Sequence, residues 1–321
     1  MPGFTLPELP NMKTLITGSM AYDTIMVFED QFKNHILPEK LDILNVSFFV
    51  PTMTRHLGGC AGNIAYNLKL LGGEPLIMAT VGEDFGPYYR YLEKQGLSAE
   101  HVIQIEGSFT AQMFLTTDSD NNQINAFHPG AMNFAHQNKI GDANDVELGI
   151  VGPDGRDAMI EHAQQFAELE IPFIFDPGQG LPMFSGEELL TFLDQANYAI
   201  FNDYESEMLL DKTGLSLEQL AEKVETLIVT RGSEGSEIYN AGSMLKVACA
   251  PIAEAVDPTG CGDAYRAGLM YGMTNGRDWK TCGQMGALCG AIKIEQSGTQ
   301  NHTFTPESFA ERYQQSFGEA L

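Results

Sequence analysis

The hydrophobic and polar positions of this 321-residue chain divide it into two kinds of segment that alternate. Short, continuously apolar runs have the length and composition of strands that are buried on both faces. Stretches with apolar residues at helical spacing follow them, as in "DFGPYYRYLEKQG", where Phe85, Tyr88 and Leu92 recur every three to four positions. The strand-like runs are "TLITGS", "LIMATVG", "VELGIVG", "PFIFDPG", "NYAIFND" and "TLIVTRG". This alternation predicts an α/β fold whose mostly parallel central sheet is flanked by helices.

Two segments in the first half depart from that pattern. Residues 24–55 contain strand-like apolar clusters with no helical pattern after them, and residues 109–128 read as a hairpin around the turn-forming "DSDNN". Together they predict a small β-sheet that lies over the ligand edge of the main sheet as a lid. Residues 1–12 show neither pattern and are expected to be a flexible N-terminal extension. Residues 13–321 are expected to form one domain.

Charge and cysteine content narrow the function further. The chain carries 18 basic and 43 acidic side chains, a net charge of −25, which disfavours nucleic acid and anionic membranes as partners. The N-terminal stretch has neither the basic start nor the apolar core of a signal peptide. The whole chain has five cysteines, an odd number, and none of them form a C-x-x-C pair. We therefore expect a cytoplasmic protein with free thiols.

Three familiar site motifs are missing. The chain has no G-x-x-x-x-G-K-[ST] sequence, and "GGCAGN" and "GCGDAY" both lack the third glycine of G-x-G-x-x-G. It also has no H-E-x-x-H and no cluster of cysteine and histidine with zinc-ligand spacing. These absences disfavour a P-loop nucleotidase, a dinucleotide-dependent oxidoreductase and a zinc enzyme.

The stretch "VDPTGCGDAYRAGL" places three small residues directly before a predicted helix. Gly260, Cys261 and Gly262 would leave backbone N–H groups accessible at the helix N-terminus, where an anion hole for a phosphate forms. Asp263 cannot bind that anion, so we predict that it accepts the proton of an attacking hydroxyl group. The helix dipole is expected to lower its pKa. The alternative is that Asp263 only stabilises the start of the helix.

This stretch resembles the second signature of the PfkB (ribokinase-like) carbohydrate and nucleoside kinases. The first signature is matched by "GGCAGNIAYNLKLLG" and "TVGEDFG", the N-x-x-E motif by "FNDYESE", and the T-x-G-x-x-G turn by "IVTRGSEG". These motifs follow the family's order from about residue 13 to about residue 306. Pro258, Cys261 and Tyr265 depart mildly from the usual pattern. The resemblance implies a ribokinase-like kinase domain that uses ATP and Mg²⁺, and it leaves a requirement for a monovalent cation open.

The resemblance also implies roles for individual residues. Asp263 would be the catalytic base, beside an anion hole formed by Gly260, Cys261 and Gly262. The implied ATP contacts are Asn202, Thr230, Arg231, Gly232, Gly235, Asp257 and Thr259. Asn202 and Glu205 would hold Mg²⁺ mainly through water, although N-x-x-E is also a helix capping box. Arg231 has the alternative of being an ordinary surface arginine.

On the substrate side, the resemblance implies that Asp23 accepts two vicinal hydroxyl groups of a ribose. Gly58, Gly59 and Asn63 would contact the same sugar, the alternative being a tight turn followed by a helix cap. The predicted lid is poor in lysine and arginine, which argues against a sugar phosphate as acceptor. It is rich in phenylalanine and methionine, so Phe114 and Phe127 are predicted to contact a base.

The acceptor is therefore predicted to be a nucleoside, adenosine first, phosphorylated on its 5′-hydroxyl group. The "GDAYRAG" and "VTRG" details also resemble the adenosine and nucleoside kinase branch of the family. A ribokinase- or fructokinase-type sugar kinase is the first alternative. A catalytically inactive nucleoside- or sugar-binding regulator is the alternative from another class. We expect a homodimer formed through the lid, with a monomer as the alternative.

Overall fold

A computed structural model describes residues 13–36, 42–43 and 45–321. Residues 1–12, predicted to be a flexible extension, and part of the segment 24–55 lie outside the described residues. Within the described ranges the α-helices are α1 (Cys60–Leu70), α2 (Gly86–Gln95), α3 (Arg156–Glu168), α4 (Gly186–Gln195), α5 (Asp203–Thr213), α6 (Leu217–Ala221), α7 (Cys261–Thr274), α8 (Trp279–Ile294) and α9 (Pro306–Phe317). None of the helices in these ranges is long and apolar enough to cross a membrane.

The strands of the described residues form two sheets. They are β1 (Lys13–Thr17), β2 (Ala21–Val27), β3 (Thr52–Gly58), β4 (Glu74–Val81), β5 (Ser98–Gln104), β6 (Ala111–Thr117), β7 (Gln123–His128), β8 (Val146–Val151), β9 (Phe173–Phe175), β10 (Tyr198–Asn202), β11 (Thr226–Thr230), β12 (Ser236–Asn240) and β13 (Ser243–Val247). The large sheet has the order β13-β12-β11-β10-β9-β8-β1-β4-β5. It is parallel except for β12 and β13 at one edge, which confirms the predicted mostly parallel α/β sheet.

Alternation along each strand explains why helices cover both faces of this sheet. Adjacent side chains of a strand point to opposite faces. Leu15 of β1 packs with the layer of α3, α4, α5 and α6, whereas its neighbour Ile16 packs with the layer of α1, α2, α7 and α8. A third apolar cluster joins α8 to α9. Because both faces are buried, the strands read as continuously apolar in the sequence.

The order of strands determines where a ligand can bind. From β1 the chain moves outward to β4 and β5, and later returns to β8 on the other side of β1. Such a reversal opens a crevice at the carboxyl ends of the strands, which is where α/β sheets bind ligands. The candidate site residues at the ends of β10 and β11 lie at this edge.

The small sheet stands beside that crevice. It has the order β3-β2-β6-β7, and β6 and β7 form an antiparallel hairpin within the segment 109–128. The chain enters it from β1 at residues 18–20 and leaves it from β3 into α1. Gly58 and Gly59 at that exit therefore lie between the small sheet and the first helix of the large domain.

Candidate active site

The N-terminus of α7 presents backbone N–H groups that can bind an anion. Gly260 precedes the helix with a φ of 79°, and the Cys261 N–H donates to the Pro258 carbonyl oxygen at 3.2 Å. In the part of the chain that the structure describes, the N–H groups of Gly262 and Asp263 have no hydrogen-bond acceptor. Unpaired N–H groups at a helix N-terminus carry partial positive charge. This is the arrangement that the small residues before the helix predict.

A side chain at either glycine of this turn would crowd its neighbours. A Cβ atom at Gly260 would lie 3.0 Å from the Thr299 Cγ2 atom, and the positive φ is itself unfavourable for other residues. A Cβ atom at Gly262 would lie 2.8 Å from Nη1 of Arg266. The backbone of the turn is therefore packed on one side and left accessible to a ligand on the other.

Asp263 lies in the first turn of α7, and α1 holds its carboxylate. The Asn63 Nδ2 atom donates to Asp263 Oδ2 at 2.7 Å, and Gln300 Nε2 donates to Asn63 Oδ1 at 2.9 Å. Burial raises the pKa of Asp263 to about 6, while Arg266 and the Asn63 amide limit the shift. The expected lowering of this pKa is wrong, because burial outweighs the helix dipole. A carboxylate with a pKa of about 6 is a better proton acceptor near neutral pH.

A buried ion pair that sequence reasoning missed supports this site. Arg266 makes a bidentate pair with Asp176, in which Nη2 lies 2.6 Å from Oδ1 and Nε also donates to Oδ2. Their exposed fractions are 7% and 1%. Asp176 follows β9, and Arg266 lies one helical turn after Asp263. The three-residue spacing of Asp263 and Arg266, which puts both on one face of the helix, is the only sequence signal that could have placed the arginine in the site.

Asp23 on β2 lies over the exit from the small sheet. Burial raises the pKa of its carboxyl group, and the neighbouring His56 opposes the shift. A Cβ atom at Gly58 would collide with the Asp23 carboxylate, and one at Gly59, whose φ is 88°, would collide with the Ser19 carbonyl oxygen. Gly58 thus allows close approach of the Asp23 carboxylate, and Gly59 allows close approach of the backbone of residues 19–21. Asn63, predicted to contact the sugar, contacts Asp263 in this structure.

Strand register separates the two phenylalanines that were predicted to contact a base. Asp23 is paired with Met113, and Met113 with Phe127. Directly paired residues lie on the same face of a sheet. Phe127, which is 49% exposed, therefore shares a face with Asp23. Phe114 is paired with Thr24 and lies on the opposite face.

Asn202 and Glu205, predicted to organise Mg²⁺, form a capping box at the start of α5. Asn202 Oδ1 accepts from the Glu205 N–H at 2.7 Å, and Glu205 Oε2 accepts from the Asn202 N–H at 2.8 Å. Glu205 Oε1 also accepts from Asn202 Nδ2 at 2.8 Å. Both carboxylate oxygens are thus already engaged, which suits contact with a metal through water more than direct ligation. Within the described ranges, no group of three or more aspartate, glutamate, histidine or cysteine side chains is arranged so that it could hold a metal ion.

The remaining predicted ATP contacts lie on two neighbouring turns. Thr230 is the last residue of β11 and Gly232 follows the strand, and the Arg231 Nη2 atom pairs with Glu237 Oε2 at 2.8 Å. Gly235 ends this turn with a φ of 93°, where a Cβ atom would collide with the Val247 carbonyl oxygen. The Glu237 partner holds the Arg231 side chain against β12.

The second turn precedes the anion hole. Asp257 Oδ1 accepts from the Thr259 N–H at 2.9 Å, and Asp257 Oδ2 accepts from the Gly298 N–H at 2.8 Å. These hydrogen bonds hold the pKa of Asp257 below its usual range, although burial opposes them. Asp257 therefore shapes the loop from within, and it stays ionised at neutral pH.

Two further buried titratable groups near this edge have no counterpart in the sequence predictions. Asp154 follows β8, and burial raises its pKa to about 8. Lys293 in the last turn of α8 has an exposed fraction of 0%. Neither lies in a recognisable motif, so only packing reveals them.

Comparison with known proteins agrees with this geometry. Residues 31–306 match the pfkB family of carbohydrate kinases. A nucleoside kinase of Methanothermobacter thermautotrophicus is 33% identical over 296 residues, which cover 90% of this chain and 91% of that protein. The nucleoside kinase of Burkholderia thailandensis, solved in complex with inosine, is 46% identical, covers 96% of this chain and 99% of its own, and superimposes with a TM-score of 0.87. The same enzyme in complex with ADP-inosine is 47% identical over 96% of this chain and 97% of its own, with a TM-score of 0.85.

The family match spans most of the chain, and its motifs meet at one edge of the sheet in the structure. Asp263, the N-terminus of α7 and the capping box of α5 come from separate stretches of sequence. The chain belongs to the pfkB family of carbohydrate kinases.

Proposed function

We propose that this protein is an ATP-dependent nucleoside kinase that phosphorylates the 5′-hydroxyl group of a purine nucleoside. The observation that carries the proposal is the position of Asp263, whose carboxylate lies beside two unpaired N–H groups at the start of α7. That arrangement suits a base for an attacking hydroxyl group next to a site for the transferred phosphoryl group.

Each group of the site then has a separate task. The Asp263 carboxylate accepts the hydroxyl proton, and Asn63 holds it in position through its 2.7 Å hydrogen bond. The N–H groups of Gly262 and Asp263 stabilise negative charge that develops on the phosphoryl oxygens. Thr230, Arg231, Gly232, Gly235 and Thr259 are proposed to contact ATP along the carboxyl edge of the sheet.

Mg²⁺ fits this proposal as an ion bound mainly by the phosphates of ATP. When bound, it neutralises charge on those phosphates. Glu205 and Asn202 would hold it through water, because both carboxylate oxygens of Glu205 already accept hydrogen bonds from Asn202.

Two observations support a nucleoside rather than a bare sugar. Phe127 and Met113 share a face of the small sheet with Asp23, so an apolar surface continues from the proposed sugar contact. The Burkholderia relative binds inosine. Adenosine and inosine are therefore the first candidates, with Asp23 accepting the ribose hydroxyl groups. A sugar kinase remains the alternative within the family, and an inactive regulator is disfavoured by the intact base and anion hole.

We further propose that the small sheet closes over the nucleoside as a lid and pairs with its copy in a second subunit. Phe127, which is 49% exposed, lies on the Asp23 face of this sheet, and Met53 and Ile124, which are 64% and 44% exposed, share the opposite face. An exposed apolar sheet face promotes unwanted association unless a ligand or a partner covers it.

The substrate assignment is tested with the purified protein and ATP·Mg²⁺ against adenosine, inosine, ribose, fructose and fructose phosphate. We expect a purine nucleoside to exceed ribose in kcat/KM by roughly 100-fold or more, because burying the base contributes binding energy that a bare sugar lacks. ADP release measures the rates. If ribose or fructose is phosphorylated and no nucleoside is, the kinase assignment stands but the nucleoside assignment is wrong.

The protonation of Asp263 predicts an acid limb in the pH profile. The deprotonated carboxylate is the active form, and its pKa is raised to about 6. Activity is therefore full above that value and falls tenfold per pH unit below it. The measurement is kcat/KM for the nucleoside from pH 5 to pH 8 at saturating ATP. A flat profile across this range would contradict Asp263 as the base.

A further inference from the structure

Lys293 places a buried ammonium group directly behind the anion hole. Its Nζ atom donates to the Asp257 carbonyl oxygen at 2.7 Å and to the Gln296 carbonyl oxygen at 3.1 Å. The Asp257 Oδ2 atom lies 3.7 Å away. The side chain is fully buried, with an exposed fraction of 0%. All three neighbours are oxygen acceptors, which matches the three donors of a charged ammonium group.

Full burial of a lysine is uncommon and needs a reason. Lysine is almost never fully buried unless it is paired, because removing its charge from water is costly. Here the cost is offset by carbonyl oxygens of two turns and by one carboxylate. The last turn of α8 adds the negative end of its dipole.

Backbone hydrogen bonds to the next residue, Ile294, hold the same loop that forms the anion hole. The N–H groups of Val256 and Asp257 donate to the Ile294 carbonyl oxygen at 2.8 and 3.0 Å. Three residues after Asp257 comes Gly260, where the anion hole begins. Lys293 therefore joins the end of α8 to the start of the phosphate-binding turn, and its charge lies behind that turn.

We propose that Lys293 serves as a built-in monovalent cation that positions the anion-hole loop, so that the protein needs no added K⁺. The Asp257 and Gln296 carbonyl oxygens could ligate a bound K⁺, but the ammonium group already occupies their centre. The residues at this place therefore do not fit a separate monovalent ion. Only the turnover measurement below rests on the proposed function.

The first experiment uses the unmodified protein, so it does not depend on the folding of a variant. ADP·Mg²⁺ affinity is measured by calorimetry, and phosphoryl transfer by ADP release, in KCl and in tetramethylammonium chloride of equal ionic strength. We expect both to change by less than about twofold, because Lys293 already supplies the charge. A K⁺ requirement of roughly tenfold or more in either quantity overturns the proposal.

The second experiment removes the charge in two ways. Lys293→Met keeps the volume of the side chain, and Lys293→Ala leaves space for an ion. We expect both to weaken ADP·Mg²⁺ binding by roughly tenfold or more, because the Asp257 carboxylate loses its buried partner. K⁺ or NH₄⁺, but not tetramethylammonium, should restore binding in Lys293→Ala and fail to do so in Lys293→Met. The matched control is Lys280→Met, an exposed position on the same helix.

Three outcomes of this second experiment overturn the proposal. They are full affinity in a folded Lys293→Met protein, an equal response of Lys293→Ala to all three salts, and no response of folded Lys293→Ala to any of them. Nucleotide affinity does not depend on the acceptor. The protein could therefore prove inactive on every nucleoside and still show the expected ADP·Mg²⁺ affinities in the three salts. That result would contradict the proposed function and leave this inference in place.

Discussion

Asp263→Asn is expected to reduce kcat by roughly 100-fold to 10,000-fold, the range typical of a lost general base. Asparagine has nearly the same shape, and its amide can remain beside Asn63, but it cannot accept the hydroxyl proton. The N–H groups of the anion hole belong to the backbone and stay in place. ATP affinity, measured by calorimetry in the absence of nucleoside, should therefore change little.

The matched control is Asp278→Asn, which makes the same change at the start of the next helix. Asp278 caps α8 by accepting from the Thr281 N–H at 3.0 Å, and asparagine is an equally good N-cap. This variant should keep the parent rate. A loss below about tenfold in Asp263→Asn would contradict its role as the base.

Arg266→Met is expected to lower the free energy of unfolding by about 3–5 kcal/mol, because Asp176 would remain buried without a partner. Replacing both members, as Arg266→Met with Asp176→Leu, should recover much of that stability, since apolar residues of similar volume can replace a buried ion pair. Urea unfolding of the parent, the single variant and the double variant measures these differences. The exposed Arg277→Met is the matched control and should be close to the parent.

The double variant should be stable but impaired in catalysis. Arg266 lowers the pKa of Asp263 more than Asp176 raises it, so removing both raises that pKa above about 6. The acid limb of the pH profile should then move to higher pH. A double variant with the parent profile would mean that Arg266 and Asp176 serve stability only.

Much of the fold follows from patterns within short stretches of the chain. Continuous apolar runs mark the strands of the large sheet because helices cover both of its faces. The turn residues between two apolar runs mark the β6–β7 hairpin for an equally local reason. The start of α7 is also local, because small residues followed by a helical pattern determine both the bare backbone and the position of Asp263.

The sequence could not separate two interpretations of the same local motif. Asn202 and Glu205 form the capping box that N-x-x-E describes, with hydrogen bonds of 2.7 and 2.8 Å. Local spacing dictates this cap, whereas a role toward Mg²⁺ depends on what lies opposite it at the edge of the sheet. Likewise Phe114 and Phe127 looked equivalent in the sequence, and the pairing of β2 with β6 and of β6 with β7 decides which of them shares the face of Asp23.

The sequence by itself determined the central strands of the large sheet, the start of α7 and the position of Asp263, because each depends on neighbours within one short stretch of chain. Only the tertiary structure decided the contacts between distant stretches. Asn63 meets Asp263 across 200 positions, and Asp176 meets Arg266 across 90. Lys293 reaches the Asp257 carbonyl oxygen across 36. These pairs form because the order of the sheet brings the ends of β9, α1, α7 and α8 to one edge, and burial there makes each charge depend on its partner.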